Sequence, residues 1–100
     1  MIVKAFAVYD SKATAYMSPF FFPHAGQAIR AFSDTVNDPS TSLNRHPGDF
    51  TLFQIGEFDD ETGVFTATSP VNLGTALNYR QQPSAPLFDE RVSAPDQEEA

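Results

Sequence analysis

The sequence contains no cysteine and only six lysines and arginines among its 100 residues. Without cysteine, neither a disulfide nor a thiolate metal site can hold the fold, which fits a reducing cytoplasm. No run approaches the ~20 apolar residues that a membrane helix needs. The N-terminal apolar stretch is interrupted by Lys4 and ends at Asp10, so it is too short for a signal peptide. We therefore expect an intracellular protein with no membrane partner.

Positive charge is also scarce, because 13 acidic residues bring the formal net charge to −7. Such a balance disfavours binding of duplex DNA by phosphate neutralisation, although a local basic groove is still compatible with it. The last twelve residues hold five acidic side chains and one arginine, which is more than half of the net charge. Their composition, rich in Pro, Ser, Ala and acids, is typical of disorder. We predict a single α+β domain over residues 1–80 and a disordered acidic tail over 81–100.

Sequence signatures of catalysis are missing as well. There is no Gly-rich phosphate loop, no nucleophile elbow and no cysteine nucleophile, so we expect a protein that is not an enzyme and uses no cofactor. His24 and His46, even with Asp49, have no recognised metal-ligand spacing, which favours surface loops. The acidic run Asp59–Glu61 lacks the twelve-residue calcium pattern, which favours a solvated turn.

The best-defined element is the stretch Phe50–Phe65, which reads as two strands joined by an acidic turn. Gly63 stands where such a turn needs a positive φ, which glycine adopts without a Cβ clash. Side chains alternate along a strand and predict two faces. One face holds Phe50, Leu52 and Phe58, and the other holds Phe53 and Ile55.

The remaining pattern predicts one strand and one helix before this hairpin. Ile2–Tyr9 reads as a strand, and Ala25–Asn37 has an apolar stripe at helical spacing. Pro39–Asp49 reads as a polar loop. The fold class is therefore α+β, a small, mostly antiparallel sheet with a β-α-β-β core and one covering helix. The pattern leaves open whether the first two strands are linked by a parallel, right-handed crossover.

An aromatic segment, Lys12–Pro23, precedes the helix and has two open interpretations. It is either a lid over the sheet or a contact surface for another subunit, a protein partner or a nucleobase. Ten Phe exceed what one helix on a small sheet readily covers, so we predict a homodimer or a larger homo-oligomer. The predicted interface residues are Phe20, Phe21 and Phe22.

A mixture of basic and aromatic residues is the one candidate binding site. Single-stranded nucleic acid is held by bases stacked on aromatic rings beside a cationic track. The alternative is that these are core aromatics with scattered surface charges. The candidate nucleic-acid-binding residues are Lys12, Tyr16, Phe20, Phe21, Arg30 and Arg45, with His46 nearby in sequence.

Six motifs in combination resemble the small nonstructural protein of gokushovirus-type microviruses, which are phages with circular single-stranded DNA genomes. The resemblance covers about residues 3–77. The motifs are YDSKATAY at Tyr9–Tyr16, PFFFP at Pro19–Pro23, AIRAF at Ala28–Phe32, VNDP at Val36–Pro39, HPGDFTLFQIGEFD at His46–Asp59 and PVNLGTA at Pro70–Ala76.

This resemblance implies a non-enzymatic phage protein in the host cytoplasm that associates with single-stranded DNA. The implied role is genome replication or the switch to packaging, and no catalytic residue is carried over. A protein-binding adaptor is the alternative, in which the Phe-rich loop docks on a host replication factor or on the phage procapsid. The acidic balance of the chain favours this second hypothesis.

Overall fold

The computed structural model describes residues 1–81 and contains one antiparallel sheet and one long helix. In chain order the elements are β1 (Ile2–Asp10), β2 (Ala15–Tyr16), β3 (Phe20–Phe22), α1 (Ala25–Val36), α2 (Ser42–Arg45), a 3-10 turn (Pro47–Asp49), β4 (Phe50–Asp59), β5 (Phe65–Thr75) and a second 3-10 turn (Ala76–Asn78). The α+β fold class predicted from the sequence is confirmed.

The sheet has the strand order β2-β1-β4-β5, and β3 also pairs with β1. All of these pairings are antiparallel, including β1 with β4, so the crossover that the sequence left open is not parallel. The β4–β5 hairpin turns at Gly63, whose φ of +79° confirms the predicted left-handed position.

Helix α1 covers one face of this sheet and builds the core with it. The apolar stripe predicted for the helix is confirmed, since Ala28, Phe32 and Val36 are buried. Each large side chain removed from water contributes roughly 1.5–3 kcal/mol. The core cluster comprises Phe6, Val8, Ala28, Phe32, Val36, Leu43, Phe50, Leu52 and Ala76.

Both ends of α1 are fixed by amide side chains. At its start, the His24 N–H donates to Gln27 Oε1 at 3.1 Å. At its end, Asn37 Nδ2 donates to the carbonyls of Ser33 and Tyr79, at 2.8 and 3.0 Å. The second bond ties the helix to the last described turn, because Tyr79 lies 42 residues further along the chain.

A bulge in β4 makes one prediction about its faces wrong. Gln54 pairs with Phe6 and Gly56 with Ala5, which leaves Ile55 as an extra residue. Side chains after a bulge exchange faces relative to the unbroken alternation. Phe58 therefore lies on the face of Phe53 and not on that of Leu52.

Two segments predicted as loops have more structure than expected, and the hairpin's second strand is longer than expected. Phe20–Phe22 forms strand β3 rather than a loop. The polar loop contains α2, whose Leu43 is buried in the core. The return strand of the hairpin continues past Pro70 to Thr75, but its register against β4 shifts between Ala67 and Val71. Pro70 lies in this irregular stretch, where a missing N–H is tolerated.

Within residues 1–81, no helix has the length and apolar character needed to cross a membrane. The predicted disordered tail lies outside the described residues except for Gln81. The division into residues 1–80 and 81–100 stays a prediction.

Candidate binding face of the sheet

The face of the sheet opposite α1 carries a layer of aromatic side chains. Paired residues in an antiparallel sheet lie on the same face. The register therefore groups Tyr9 with Tyr16, Ala7 with Phe53, Ala5 with Phe21 and Gly56, and Val3 with Phe58 and Phe65. We call this surface the aromatic face, defined by Tyr9, Tyr16, Phe21, Phe53, Phe58 and Phe65.

These rings contact one another in two groups. The ring centroid of Tyr16 lies 4.9 Å from that of Tyr9 and 5.7 Å from that of Phe53. The centroids of Phe21 and Phe58 are 5.8 Å apart. All three spacings suit edge or tilted aromatic contacts. The part of β1 beneath these rings is shielded from solvent, because Ala5 and Ala7 are buried.

Three of the aromatic residues stay open to solvent although they contact neighbours. Tyr16, Phe21 and Phe65 are 44–46% exposed. Phe65 lies against Gly56, where an added Cβ would stand 2.9 Å from ring carbons. Glycine at position 56 thus lets the ring lie close to the sheet. The result is a partly exposed aromatic surface in which neighbouring rings are inclined to one another by 54–73°.

Charged side chains avoid this face throughout residues 1–81. The one charged pair in the register, Lys4 with Glu57, lies on the opposite face, with Nζ and Oε2 3.8 Å apart. Lys12 stands in the turn between β1 and β2, where the carboxylate of Asp10 accepts the backbone N–H groups of Lys12 and Ala13. A cation thus stands near the Tyr9–Tyr16 end, and the centre of the face is neutral.

The acidic turn Asp59–Glu61, at the end of the sheet opposite Lys12, binds the N-terminal ammonium group of Met1. The Met1 ammonium donates to Asp60 Oδ1 at 2.7 Å and to Glu61 Oε2 at 3.1 Å, and these bonds raise the pKa of that amine. The backbone N–H of Glu61 donates to Asp59 Oδ1 at 2.9 Å, which lowers the pKa of the Asp59 carboxyl. The turn is an exposed and negatively charged margin of the aromatic face.

The predicted site residues fall into two groups in space. Tyr16 and Phe21 lie on the aromatic face. Phe20 and Phe22 point to the helix side and pack against the core, and the Phe20 ring stacks on Phe6 with centroids 5.9 Å apart. The predicted interface of Phe20, Phe21 and Phe22 is therefore divided between two faces.

The predicted cations are also dispersed. Arg30 lies on α1 and lines a groove with Phe22, on the far side of β3 from Phe21. Arg45 lies in α2, and Lys12 shares a surface hollow with His46. None of Lys12, Arg30 and Arg45 forms an ion pair within the described residues. The three cations therefore do not form one track, and the hollow that holds Lys12 also contains the carboxylates Asp10 and Asp49.

Four members of the aromatic face were not among the predicted site residues. Tyr9 and Phe53 could have been predicted from the sequence, because the alternation of side chains along a strand alone places them on the face opposite the core. Phe58 was not, because its face depends on the Ile55 bulge. The face of Phe65 could not be predicted either, because it follows from the pairing of Phe65 with Phe58.

A second feature, an apolar cleft of about 410 Å³, lies on the helix side between β3 and α1. Its walls include Met17, Phe20, Phe21, Phe22 and Phe32. The cleft and the aromatic face share the edge formed by β2 and β3. Phe21 lies at this edge and contributes to both surfaces.

The family model of the Phage ORF5 protein matches residues 3–79. The chain belongs to the Phage ORF5 protein family. The match begins in β1 and ends just after the second 3-10 turn, so it includes α1, the five strands and the whole aromatic face. No curated protein and no solved structure matches the chain. The resemblance to a phage protein is thereby confirmed at the level of this family.

The family match concerns residues 3–79. The acidic tail lies beyond the matched residues. The aromatic face and the apolar cleft both lie within them.

Proposed function

We propose that this Phage ORF5 protein is a non-enzymatic nonstructural protein of a gokushovirus-type microvirus that associates with single-stranded DNA in the host cytoplasm. Its role would lie in genome replication or in the switch to packaging. The observation that carries the proposal is the exposed aromatic face on a rigid sheet. Bases stacked on aromatic side chains contribute about 1–3 kcal/mol each and need no particular sequence.

Tyr16 and Phe21 are the first stacking positions in this proposal. Both are nearly half exposed, and each ring is supported from the side by a neighbour, Phe53 or Phe58. A supported ring loses little conformational entropy when a base stacks on it. Phe65 would extend the same surface toward β5.

The phosphate groups of the bound strand would contact basic side chains at the margins of the aromatic face. Lys12 stands at the Tyr16 end, and Arg30 lies behind β3 beside Phe22. A strand that crosses the β3 edge would stack on Phe21 and reach Arg30. Binding to single strands loses affinity with salt at a log–log slope of roughly 0.7 per phosphate contact. Few cations thus imply weak binding with a shallow salt dependence.

The test is the fluorescence anisotropy of a labelled thymidine oligonucleotide at low salt. The full chain and a chain ending at Gln81 should both bind, the shorter one more tightly because the acidic tail repels phosphate. A Tyr16→Ala/Phe21→Ala double variant should lose most of the affinity. Met17→Ala is the matched control, because Met17 is equally exposed but lines the cleft on the other side. Absence of binding in both chain lengths would contradict the proposal.

A protein-binding adaptor is the second candidate, and the apolar cleft favours it. The cleft is framed by Phe20 and Phe22, so an apolar segment of a host replication factor or of the procapsid would dock against the Phe-rich strand. Met17→Asp should then remove a partner captured from infected-host lysate and leave oligonucleotide binding unchanged. Tyr16→Ala, which alters the aromatic face but not the lining of the cleft, should show the reverse pattern if DNA is the ligand.

A further inference from the structure

The two edges of the sheet differ in their protection. On one side β1 is flanked by β2 and β3, which are 2 and 3 residues long. Very short edge strands are a common defence against pairing with other chains. On the other side β5 runs for 11 residues, and within the described residues it pairs only with β4. Its outer edge presents backbone groups that have no strand partner among residues 1–81.

Strand β5 also lacks the charged residues that usually guard an edge. No charged residue occurs between Glu61 and Arg80. Natural edge strands are commonly blocked by lysine or by inward-pointing charges. This uncharged stretch instead contains the large exposed apolar residues Val64, Phe65, Val71 and Leu77, of which Phe65 and Val71 lie in β5. The edge is apolar, and its first half is rich in residues that favour strands, Phe and Thr.

The hydrogen-bond pattern identifies which groups of β5 point outward. The Asp59 N–H donates to the Val64 carbonyl at 2.9 Å, so the ladder is bonded at that point. Bonded and non-bonded pairs then alternate along an antiparallel ladder. Phe65 opposite Phe58 is non-bonded, the next pair is bonded, and Ala67 is again non-bonded. The N–H and C=O groups of Phe65 and Ala67 therefore point away from β4.

We propose that the first half of β5 pairs antiparallel with the same segment of a second copy, about a two-fold axis at Thr66. Phe65 of one copy then exchanges backbone hydrogen bonds with Ala67 of the other. Thr66 faces its own counterpart across the axis. Pro70, which has no N–H to donate, marks the limit of the paired segment.

This homodimer has one continuous sheet. A two-fold axis normal to the sheet keeps the aromatic faces of both copies on the same side. Phe65 and its counterpart then lie beside the axis, so each copy supplies a ring to the centre of the shared surface. The pairing leaves Tyr16 and Phe21 uncovered. It does not depend on whether DNA is the ligand.

Single-cysteine variants test the pairing directly, because the natural chain has no cysteine. Residues opposite one another in a non-bonded pair have Cα atoms about 4.5 Å apart, which is within disulfide range. With oxidised glutathione and no nucleic acid, Thr66→Cys should form a disulfide-linked dimer. Thr75→Cys, on the same strand but paired inward with Thr51, should stay monomeric.

Sedimentation velocity of the full chain provides the second readout. The wild type should dissociate on dilution from dimer to monomer. Ala67→Pro, which removes an outward N–H, should sediment as a monomer with an unchanged circular dichroism spectrum. A wild type that is monomeric throughout the dilution series would overturn the proposal. So would a cross-link at Thr75→Cys without one at Thr66→Cys.

Discussion

The ring of Phe65 lies against Gly56 across the β4–β5 ladder. A Cβ at position 56 would stand 2.9 Å from the ring and 2.5 Å from the Thr66 carbonyl oxygen. Both distances are shorter than ordinary van der Waals contact, so a larger residue there must displace the ring or the strand. The close approach of the Phe65 ring to the sheet therefore depends on this one glycine.

Gly56→Ala should accordingly destabilise the fold by about 1–3 kcal/mol, which is the usual cost of overpacking. Chemical denaturation measures the change. Adding Phe65→Ala to it should recover only part of the loss, because the carbonyl contact is still there. Gly26→Ala is the control, since a methyl group at position 26 would meet no atom within 4 Å, and it should be neutral or stabilising. Equal stability of Gly56→Ala and wild type would contradict the described packing.

The Tyr79 hydroxyl gives a second prediction. It donates to the Leu73 carbonyl at 2.6 Å, and its ring packs edge-on against Phe32. Tyr79→Phe should cost about 1 kcal/mol, because the ring stays and one hydrogen bond is lost. The same substitution at the exposed Tyr16 should leave the free energy of unfolding unchanged. Equal effects at the two positions would argue against the Leu73 bond.

Alternation along β3 predicts unequal roles for neighbouring phenylalanines. Phe20 stacks on buried Phe6, whereas Phe21 is nearly half exposed on the other face. Phe20→Ala should cost about 2 kcal/mol of stability, and Phe21→Ala less than about 1 kcal/mol. Thermal denaturation compares the two. The reverse order would mean that β3 presents its other face to the core.

Much of this fold could be predicted from the sequence. Strand β1, the helix stripe at Ala28, Phe32 and Val36, and the turn at Gly63 all follow from local periodicity and turn chemistry. Long, regular elements carry these signals within themselves.

What could not be predicted depends on pairing. The extra residue Ile55 in β4 is visible only when β1 lies beside it, and it moves Phe58 to the aromatic face. Likewise, the three residues of β3 form a strand only because β1 offers free backbone groups next to them. Of the candidate site residues, Tyr16 and Phe21 share a face, whereas Arg30 and Arg45 could not be located relative to them without the fold.

Two aspartates predict how stability depends on pH. Backbone N–H bonds from Ser40 and Glu61 hold the pKa values of Asp38 and Asp59, respectively, below the usual range. A carboxyl whose pKa is depressed by folding stabilises the native state above its unfolded pKa. That contribution is lost as the pH falls through the folded pKa. Thermal midpoints of the wild type and Asp59→Ala should therefore differ at neutral pH and converge in acid. A gap that persists in acid would assign the effect to packing.

The central claim is that bases stack on the aromatic face, and tyrosine fluorescence tests it most directly. The chain has three tyrosines and no tryptophan, and two of the three, Tyr9 and Tyr16, lie on that face. In a Tyr79→Phe variant, all tyrosine emission comes from the face. Titration with a thymidine oligonucleotide should quench this emission with the same midpoint as the anisotropy of the labelled strand. Binding without quenching would place the DNA elsewhere and contradict the account.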